Sequence, residues 1–354
     1  MFTEKLYLDH LPPALLDHYL AKGWYRMGQS MFTCRFLMFQ GQLFPAVWVR
    51  LPLSAYEMTK HQRKLYQRNL SRFQVVTRPG KINMEKERLY QKYRKNFQGR
   101  LAPSLKVSLL DDGNFNLFNT YETCIYDGQE LVGFSFFDLG KESIASILGV
   151  YHPDFKKYSL GFFTMLLEIS FGLENGYTHY YPGYIVPGYP KFDYKTRIGA
   201  VECFEEKSQQ WIPKTHYPFG DLPTQRMELR LRQVKSYLDA WNLPNKLVLY
   251  PPYEANLIGY WILDYLEYPM LLECMDTMLE PTKTILAFDT IRDTYRLYLC
   301  SVYDDLSDFF HGSLLDAVTQ IPLQLELLIK DGLLAESTSA EEMAGIIAGH
   351  AAGN

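Results

Sequence analysis

The sequence predicts an α+β protein: a mixed β-sheet flanked by helices, with a small N-terminal α/β module before it and a helical C-terminal region after it. Two observations carry this prediction. Strand-like apolar runs bounded by Gly, Pro and Asp alternate with helical patterns up to about residue 186, whereas longer helical patterns fill the chain after about Phe219. The predicted segments are 1–79, 80–218 and 219–354.

Composition excludes several classes of protein. The chain has 354 residues, of which 47% are hydrophobic and 21% charged, an ordinary composition for a soluble protein of two or three domains. The N-terminus lacks the basic start of a signal peptide, and no apolar run approaches roughly 18 residues without a charge, so we expect a cytoplasmic protein with no membrane partner. Five scattered cysteines without a C-x-x-C pair predict free, buried thiols.

The N-terminal module begins with a short helix predicted over Leu11–Leu20. In residues 36–53, apolar runs interrupted by Gly41 indicate two strands joined by a turn. Ser54 is the predicted N-cap of a basic helix that continues over residues 55–70.

A second basic helix is predicted after the break at Pro79-Gly80, with an inward face made of Met84, Leu89, Tyr93 and Phe97. The stretch from Lys60 to Lys106 holds fourteen Lys/Arg against two Glu, a net of +12 in a chain whose net charge is −4. Aromatic side chains are interleaved with these cations. This combination predicts a polyanionic partner with stackable bases, and a solvated helix surface is the alternative.

The central segment continues with a strand, a turn at Asp127-Gly128, a second strand and a third strand that ends near His152. An apolar helix is predicted from Ser159 to the glycine Gly176, and a short strand follows at 177–186. The order helix, three antiparallel-like strands, helix, strand is typical of an acetyltransferase-like (GNAT) core, in which central strands splay to admit a substrate.

The C-terminal segment is predicted to be helical. Its four helical patterns are 226–242, 255–278, 284–310 and 323–334. The tail from Glu336 onward is rich in small residues, and we expect it to fray or pack loosely.

Residues 180–199, YYPGYIVPGYPKFDYKTRIG, contain five tyrosines and three prolines but few aliphatic residues suited to a core. The order Gly183-Tyr184, Pro190-Lys191 and then Tyr194-Lys195 resembles the signature of arginyl-tRNA–protein transferases. Similar motifs occur in the family's order over about residues 20–215: GWYRMGQSMF, FPAVWVRLPLSAYEMTKHQRKLYQRN, DGQELVGFSFFDL, VYHPDFKKYSLG and WIPK.

This resemblance implies transfer of an aminoacyl group, arginine in this family, from charged tRNA to the α-amine of an acceptor protein or peptide. An aminoacyl ester is already activated, so the enzyme must position it, deprotonate the amine and stabilise an oxyanion; no nucleophilic Ser or Cys is needed. Aminoacyl-tRNA is the co-substrate and no cofactor is expected. The implied catalytic residues are Asp138, Tyr184, Lys191, Tyr194 and Lys195.

Asp138 is expected to anchor an ammonium group or accept its proton, and turn capping is the alternative role. The two lysines are expected to meet terminal phosphates or the oxyanion, and the two tyrosines to supply hydroxyl donors or stacking faces. Family motifs further imply tRNA contacts by Arg50, Gln62, Arg63, Lys64, Arg68 and Asn69.

One departure from the family is large. The N-terminal cysteine pairs that hold a metal or iron–sulfur centre are absent, and Tyr189 stands where the family has a cysteine before Pro-Lys. No metal site is therefore expected, and the accepted protein N-terminus is not specified.

Two other functions remain open at this point. An acyl-CoA-dependent N-acyltransferase has the same predicted fold, but KKYSLG supplies only Gly161 to cradle a pyrophosphate. A non-catalytic RNA-binding protein is the other alternative, which the missing cysteines and the long C-terminal region favour.

Overall fold

The computed structural model of the chain describes residues 3–97, 99, 101–260, 264–274, 282–310 and 320–352. The chain forms two compact units. We call them the eight-stranded unit, which comprises Lys5–Thr33 and Val47–Tyr217, and the five-stranded unit, which comprises Met1–Glu4, Cys34–Ala46 and Pro218–Asn354.

The described residues form seven α-helices: α1 (Pro13–Ala21), α2 (Lys60–Leu70), α3 (Met84–Asn96), α4 (Leu105–Leu110), α5 (Leu160–Glu174), α6 (Pro223–Ala240) and α7 (Ala340–Ala352). They also form the strands β1 (Thr3–Tyr7), β2 (Tyr25–Met27), β3 (Ser30–Cys34), β4 (Phe36–Phe39), β5 (Gln42–Pro45), β6 (Val47–Pro52), β7 (Gln74–Pro79), β8 (Thr120–Asp127), β9 (Glu130–Leu139), β10 (Ser143–Tyr151), β11 (His179–Ile185), β12 (Glu202–Glu205), β13 (Gln210–Pro213), β14 (Asn245–Leu249), β15 (Met270–Cys274), β16 (Thr282–Asp289), β17 (Thr294–Asp305) and β18 (Glu326–Ser337). Short 3₁₀ helices occur at Pro153–Tyr158, Pro190–Ile198, Lys214–His216, Pro251–Ile258 and Ser307–Phe310.

The predicted α+β class is confirmed. The large sheet has the order β13-β12-β6-β11-β10-β9-β8-β7. Its pairs are antiparallel except for β10 and β11, which are parallel. Helix α5 packs on β9, β10 and β11, because its sequence LGFFTMLLEISFGLE is apolar almost throughout.

The predicted central elements are confirmed. The hairpin between β8 and β9 turns at Asp127-Gly128, where Gly128 has φ of +64°. Strand β10, helix α5 and strand β11 follow within a few residues of the predicted boundaries. Strands β6 and β7 belong to this same sheet, so the residues predicted as a separate N-terminal module contribute directly to it.

Helix α2 begins later than predicted. Ser54 is not its cap; Thr59 is, with its Oγ1 accepting from the Gln62 amide at 3.3 Å while the Gln62 Oε1 accepts from the Thr59 amide at 2.8 Å. This reciprocal capping box satisfies two backbone donors of the first turn, which a cap at Ser54 would not.

The predicted inward face of α3 is partly wrong. Leu89 is buried, but Met84 is 68% exposed and Phe97 is 41% exposed. Tyr90, which was not among the residues predicted to face inward, is 1% exposed and donates its hydroxyl to the Ala102 carbonyl at 2.7 Å. The two exposed residues lie at the ends of the helix, where a helical repeat no longer faces the core.

The prediction of a helical C-terminal region is wrong. Of the four predicted helical patterns only 226–242 is an α-helix, α6, and the described residues of the other three lie mainly in or between the strands of an antiparallel sheet of order β14-β15-β16-β17-β18. The periodicity of short apolar runs rich in aromatic and branched residues fits a strand and a buried helix equally well. In this region, hydrogen bonding to neighbouring strands determines that these runs form strands. Residues 261–263 and 275–278 of the predicted helices lie outside the described residues.

The C-terminal tail does not pack loosely up to residue 352. Helix α7 buries Met343, Ala344 and Ile347 in the core of the five-stranded unit, and residues 353–354 lie outside the described residues. All five cysteines are free and buried, as predicted. No described helix combines the length and apolar character needed to cross a membrane.

Candidate functional site

The eight-stranded sheet opens between its two parallel strands. Strands β10 and β11 pair at only three positions, the last of which joins Ala145 to Tyr181. Beyond it β10 has an irregularity between Ser146 and Leu148, while β11 continues only in its pairing with β6. We call the point where these strands separate the strand split.

Tyr25 from β2 occupies the strand split. Its hydroxyl lies 2.8 Å from the carbonyl oxygen of Tyr181 and also contacts the carbonyl oxygen of Ser146, one on each diverging strand. Burial raises the pKa of Tyr25 well above its usual range. A neutral phenol therefore bridges the backbones of β10 and β11 at the point where their pairing ends.

Lys195 lies beside this split, on the 3₁₀ helix Pro190–Ile198. Its Nζ donates to the Tyr184 carbonyl at 2.9 Å and lies 5.1 Å and 5.3 Å from the ring centres of Tyr184 and Phe192. Gly183 has φ of +91°, and a Cβ there would come within 3.2 Å of Lys195 Nζ. Burial lowers the pKa of Lys195 to about 8, which makes the amine a proton acceptor close to neutral pH.

The two predicted tyrosines take different positions. The Tyr184 ring packs edge-on against Trp48 and stacks with Phe192, with centroid separations of 5.2 Å and 5.6 Å. Tyr194 is 41% exposed as a whole residue, yet desolvation, followed by the charge of Glu168, raises the pKa of its hydroxyl.

Lys191 is exposed and contributes to a cavity of about 350 Å³. The residues that line this cavity are Tyr93, Asn96, Phe97, Tyr151, Pro153, Lys156 and Lys191. Its walls combine aromatic faces with two ammonium groups, a combination suited to a base or sugar next to a phosphate.

Helix α2 is hydrogen-bonded to the 3₁₀ helix Pro190–Ile198, which also carries Lys195. Gln62 is 2% exposed, and its Nε2 donates to the carbonyls of Arg197 and Ile198 at 2.7 Å and 3.0 Å. Asn69 is fully buried, and its Nδ2 donates to the Tyr158 carbonyl at 2.9 Å. In the structure, these two amides hold α2 against other segments of the unit. A direct contact of either amide with tRNA stays a prediction.

The charged members of the predicted tRNA set differ in accessibility. Arg63, Lys64 and Arg68 are exposed on α2, and the Arg68 guanidinium lies 5.7 Å from the Tyr158 ring centre. Arg50 is held by Glu202 at 2.7 Å and covers the Trp211 ring at 4.8 Å. The three α2 cations are thus the members available to a phosphate backbone.

Part of the local positive charge is internal. Lys86 is 1% exposed and lies 2.9 Å from Glu122, which also pairs with Arg78 at 2.8 Å. The net charge of +12 counted along the sequence therefore overstates the charge that this region presents to a partner.

Asp138 is already engaged. It is fully buried on β9, where it pairs with Arg26 at 2.9 Å and accepts from the Thr120 hydroxyl at 2.6 Å. The predicted anchoring of a substrate ammonium by Asp138 stays a prediction, and in the structure this position is taken by the Arg26 guanidinium.

The basic helices α2 and α3 lie next to the tyrosine-rich segment of residues 180–199. Gln62 joins α2 to Arg197 and Ile198, and Tyr93 of α3 lines a cavity together with Lys191.

Sequence reasoning missed Tyr25 and Glu168. A glutamate in the middle of an apolar helix is the signal that points to Glu168. Tyr25 falls within the motif GWYRMGQSMF, but nothing in that motif indicates that its hydroxyl reaches the sheet. Within the described ranges, no His, Cys, Asp and Glu side chains form a group of three or more that would hold a metal ion.

Comparisons with known proteins agree with the motifs. The family profile described as "Arginine-tRNA-protein transferase, C terminus" matches residues 62–205. An "Aspartate/glutamate leucyltransferase" of Leptospira interrogans is 30% identical over 170 residues, covering 46% of this chain and 66% of its own length. One of the same name from Campylobacter jejuni is 27% identical over 221 residues, covering 58% of this chain and 88% of its own.

This chain therefore spans just under two thirds of the Leptospira relative. Among solved structures, L-PGS from Bacillus licheniformis covers 48% of this chain and 49% of its own, with a TM-score of 0.32 and 15% identity. A likeness this low supports no conclusion, so the GNAT-like arrangement stays a prediction.

Proposed function

We propose that this protein transfers an amino acid from a charged tRNA to the α-amine of an acceptor protein or peptide, because residues 62–205 match the family profile described as "Arginine-tRNA-protein transferase, C terminus". The motif resemblance predicted from the sequence, together with the family match, supports this reaction class. Aminoacyl-tRNA and an acceptor N-terminus are its proposed partners.

The observation that carries the proposal is the adjacency of three features in one unit. Lys195 and Tyr25 lie at the strand split, Lys191 lines the aromatic cavity, and the exposed cations of α2 are tied to the same 3₁₀ helix through Gln62. A tRNA end needs phosphate contacts, a stacking surface and a place for its ester, and these features supply all three.

Lys195 is the group best suited to act on the ester. Below pH 8 its ammonium stabilises negative charge that develops on the ester oxygen, and above pH 8 its free amine accepts a proton. Holding the amine and the ester in contact provides the rest of the acceleration.

We propose leucine as the transferred residue, in place of the arginine that the family resemblance implied. The relatives are named leucyltransferases, and this shared name carries the choice of donor.

The test is a transfer assay with purified protein. Leu-tRNA and Arg-tRNA are offered separately with peptides that begin with Asp, Glu or Ala, and added mass is measured. We expect leucine on the acidic N-termini. Arginine addition alone would reverse the choice of donor. Labelled acetyl-CoA in the same assay tests the N-acyltransferase alternative, and tRNA binding without addition from any donor would favour the binding-protein alternative.

A further inference from the structure

Glu168 lies in an unusual position for a glutamate. It is fully buried on α5, and its Oε2 accepts from the Tyr180 hydroxyl at 2.8 Å. Its Oε1 has no hydrogen-bond partner among the described residues, and neither has the buried hydroxyl of Ser135 on β9. Ser135 is nevertheless close enough to lower the pKa of the Glu168 carboxyl.

The surroundings of Glu168 place it at the strand split. Tyr180 immediately precedes Tyr181, the last residue of β11 that pairs with β10, and Ser146 immediately follows Ala145, its partner. Tyr180 hydrogen-bonds to the Glu168 carboxyl, and Ser146 is close enough to lower the pKa of that carboxyl. The carboxyl therefore lies where the two strands separate.

The groups that act on Glu168 are all hydroxyls. Desolvation is the main influence, and it raises the pKa of Glu168 to about 7; the nearby hydroxyls of Ser135, Ser146 and Tyr180 oppose it. The charge of Glu168 in turn raises the pKa of Tyr25 and of Tyr194. No cation is among the groups that act on it, so its protonation changes near neutrality without an ion pair to fix it.

The proposed reaction releases one proton. The acceptor ammonium loses a proton and its nitrogen forms a bond to the ester carbon. The ester C–O bond breaks, and the ribose hydroxyl takes a proton. Because an ammonium carries one more proton than the amide and the hydroxyl together retain, one proton must leave the site in each cycle.

We propose, on the basis of the proposed function, that Glu168 is a positioning residue that receives this proton through the hydroxyls around it and returns it to solvent. Each hydroxyl in the relay accepts one proton and passes one on, so it is unchanged at the end. Glu168 gains an O–H bond on its carboxylate and loses it again before the next cycle.

The test is the Glu168→Gln variant in single-turnover transfer between pH 5.5 and 9. We expect a rate about 100-fold lower above pH 7 and loss of the inflection near pH 7, with unchanged affinity for tRNA. Glu174→Gln is the matched control, because Glu174 is exposed on the same helix and its carboxylate accepts a hydrogen bond from Ser170 at the helix surface. It should keep the wild-type rate and profile.

A second variant, Tyr180→Phe, distinguishes proton acceptance by Glu168 from a purely structural role. It also tests the proposal if Glu168→Gln does not fold. It removes a hydrogen bond to the charged carboxylate, so the inflection should move to higher pH. A wild-type profile in Glu168→Gln, or an unmoved inflection in Tyr180→Phe, would overturn the proposal alone. A wild type that transfers no amino acid from any donor would overturn it together with the proposed function.

Discussion

The two sheets of this protein differ in how far one pair of neighbouring strands stays hydrogen-bonded. In the five-stranded unit, β16 and β17 pair without interruption over eight positions. Its buried tyrosine hydroxyls serve the backbone: that of Tyr253 donates to the Phe36 carbonyl at 3.0 Å, and that of Tyr250 accepts from the Leu328 amide at 2.9 Å. In the eight-stranded unit the ladder of β10 and β11 stops after three pairs.

The difference lies at the gap. Glu168 and Lys195 lie beside it, and desolvation shifts the pKa of both. The five-stranded unit also holds a desolvated glutamate, Glu254, but its β16–β17 ladder has no gap. A gap in a ladder leaves unpaired carbonyls that need polar partners, and polar partners at a gap are available for chemistry. This comparison predicts that substitutions beside the gap in the eight-stranded unit act on the reaction, and that those in the five-stranded unit act on stability alone.

The largest expected effect is that of Lys195→Met on transfer. Losing a group that stabilises a developing oxyanion lowers rates by about 100- to 1000-fold. Because a buried ammonium is replaced by an apolar side chain, the free energy of unfolding should stay level or rise. Single-turnover kinetics and denaturant unfolding measure the two effects.

The control for that variant is Lys157→Met, since Lys157 is exposed and its Nζ lies 5.2 Å from the Tyr158 ring centre. It should leave the rate within about twofold. An equal loss in both variants would contradict a specific role for Lys195.

The next effect concerns stability against pH. The folded-state pKa of Glu168 is raised from 4.5 to about 7, so its contribution to stability is complete below pH 4.5 and is lost as pH rises to 7. The loss is about 3 kcal/mol at 1.36 kcal/mol per pKa unit. Denaturant unfolding from pH 4 to 8 should show Glu168→Gln gaining on the wild type over this interval. A constant difference between the two proteins would contradict the assignment.

A smaller effect is expected for tRNA binding. Replacing Arg63 and Lys64 with Ala should weaken binding and reduce the slope of log affinity against log salt by about 1 for each phosphate that the variant no longer binds. Lys246→Ala, at an exposed position on β14 of the five-stranded unit, is the control and should leave the slope unchanged. A wild-type slope in the double variant would rule out phosphate binding by these two residues.

The smallest effect is that of Tyr253→Phe in the five-stranded unit. The absence of the hydrogen bond to the Phe36 carbonyl should lower the free energy of unfolding by about 1 kcal/mol. The transfer rate should not change, and a rate loss above about threefold would remove the division of roles between the two sheets.

The sequence predicted the elements around residues 119–186 well, because their signals are local. Asp127-Gly128 is a strong hairpin signal, and the apolar run that ends at Gly176 has the length of a buried helix. The strands after β14 were predicted as helices, since pairing partners far apart along the chain determine them and a short apolar run carries no trace of those partners.

The same distinction holds for the candidate site. Lys191 and Lys195 came from a contiguous motif and do lie by the cavity and the strand split. Gln62 and Asn69 came from the same kind of motif. Both side chains are nevertheless buried, and each donates a hydrogen bond to the backbone carbonyl of a residue far away in the sequence. Tyr25 lies 121 and 156 positions from the two carbonyls it contacts, a separation that no local pattern reports.

The double duty of Gln62 has a consequence for engineering. Its side chain accepts a hydrogen bond from the Thr59 amide at the N-terminus of α2. It also donates to the 3₁₀ helix that carries Lys191 and Lys195. A library that redesigns α2 for a different nucleic acid would therefore disturb the alignment of the reacting groups whenever it changes this glutamine. Selection for new donors should keep residue 62 fixed and vary the outward-facing positions around it.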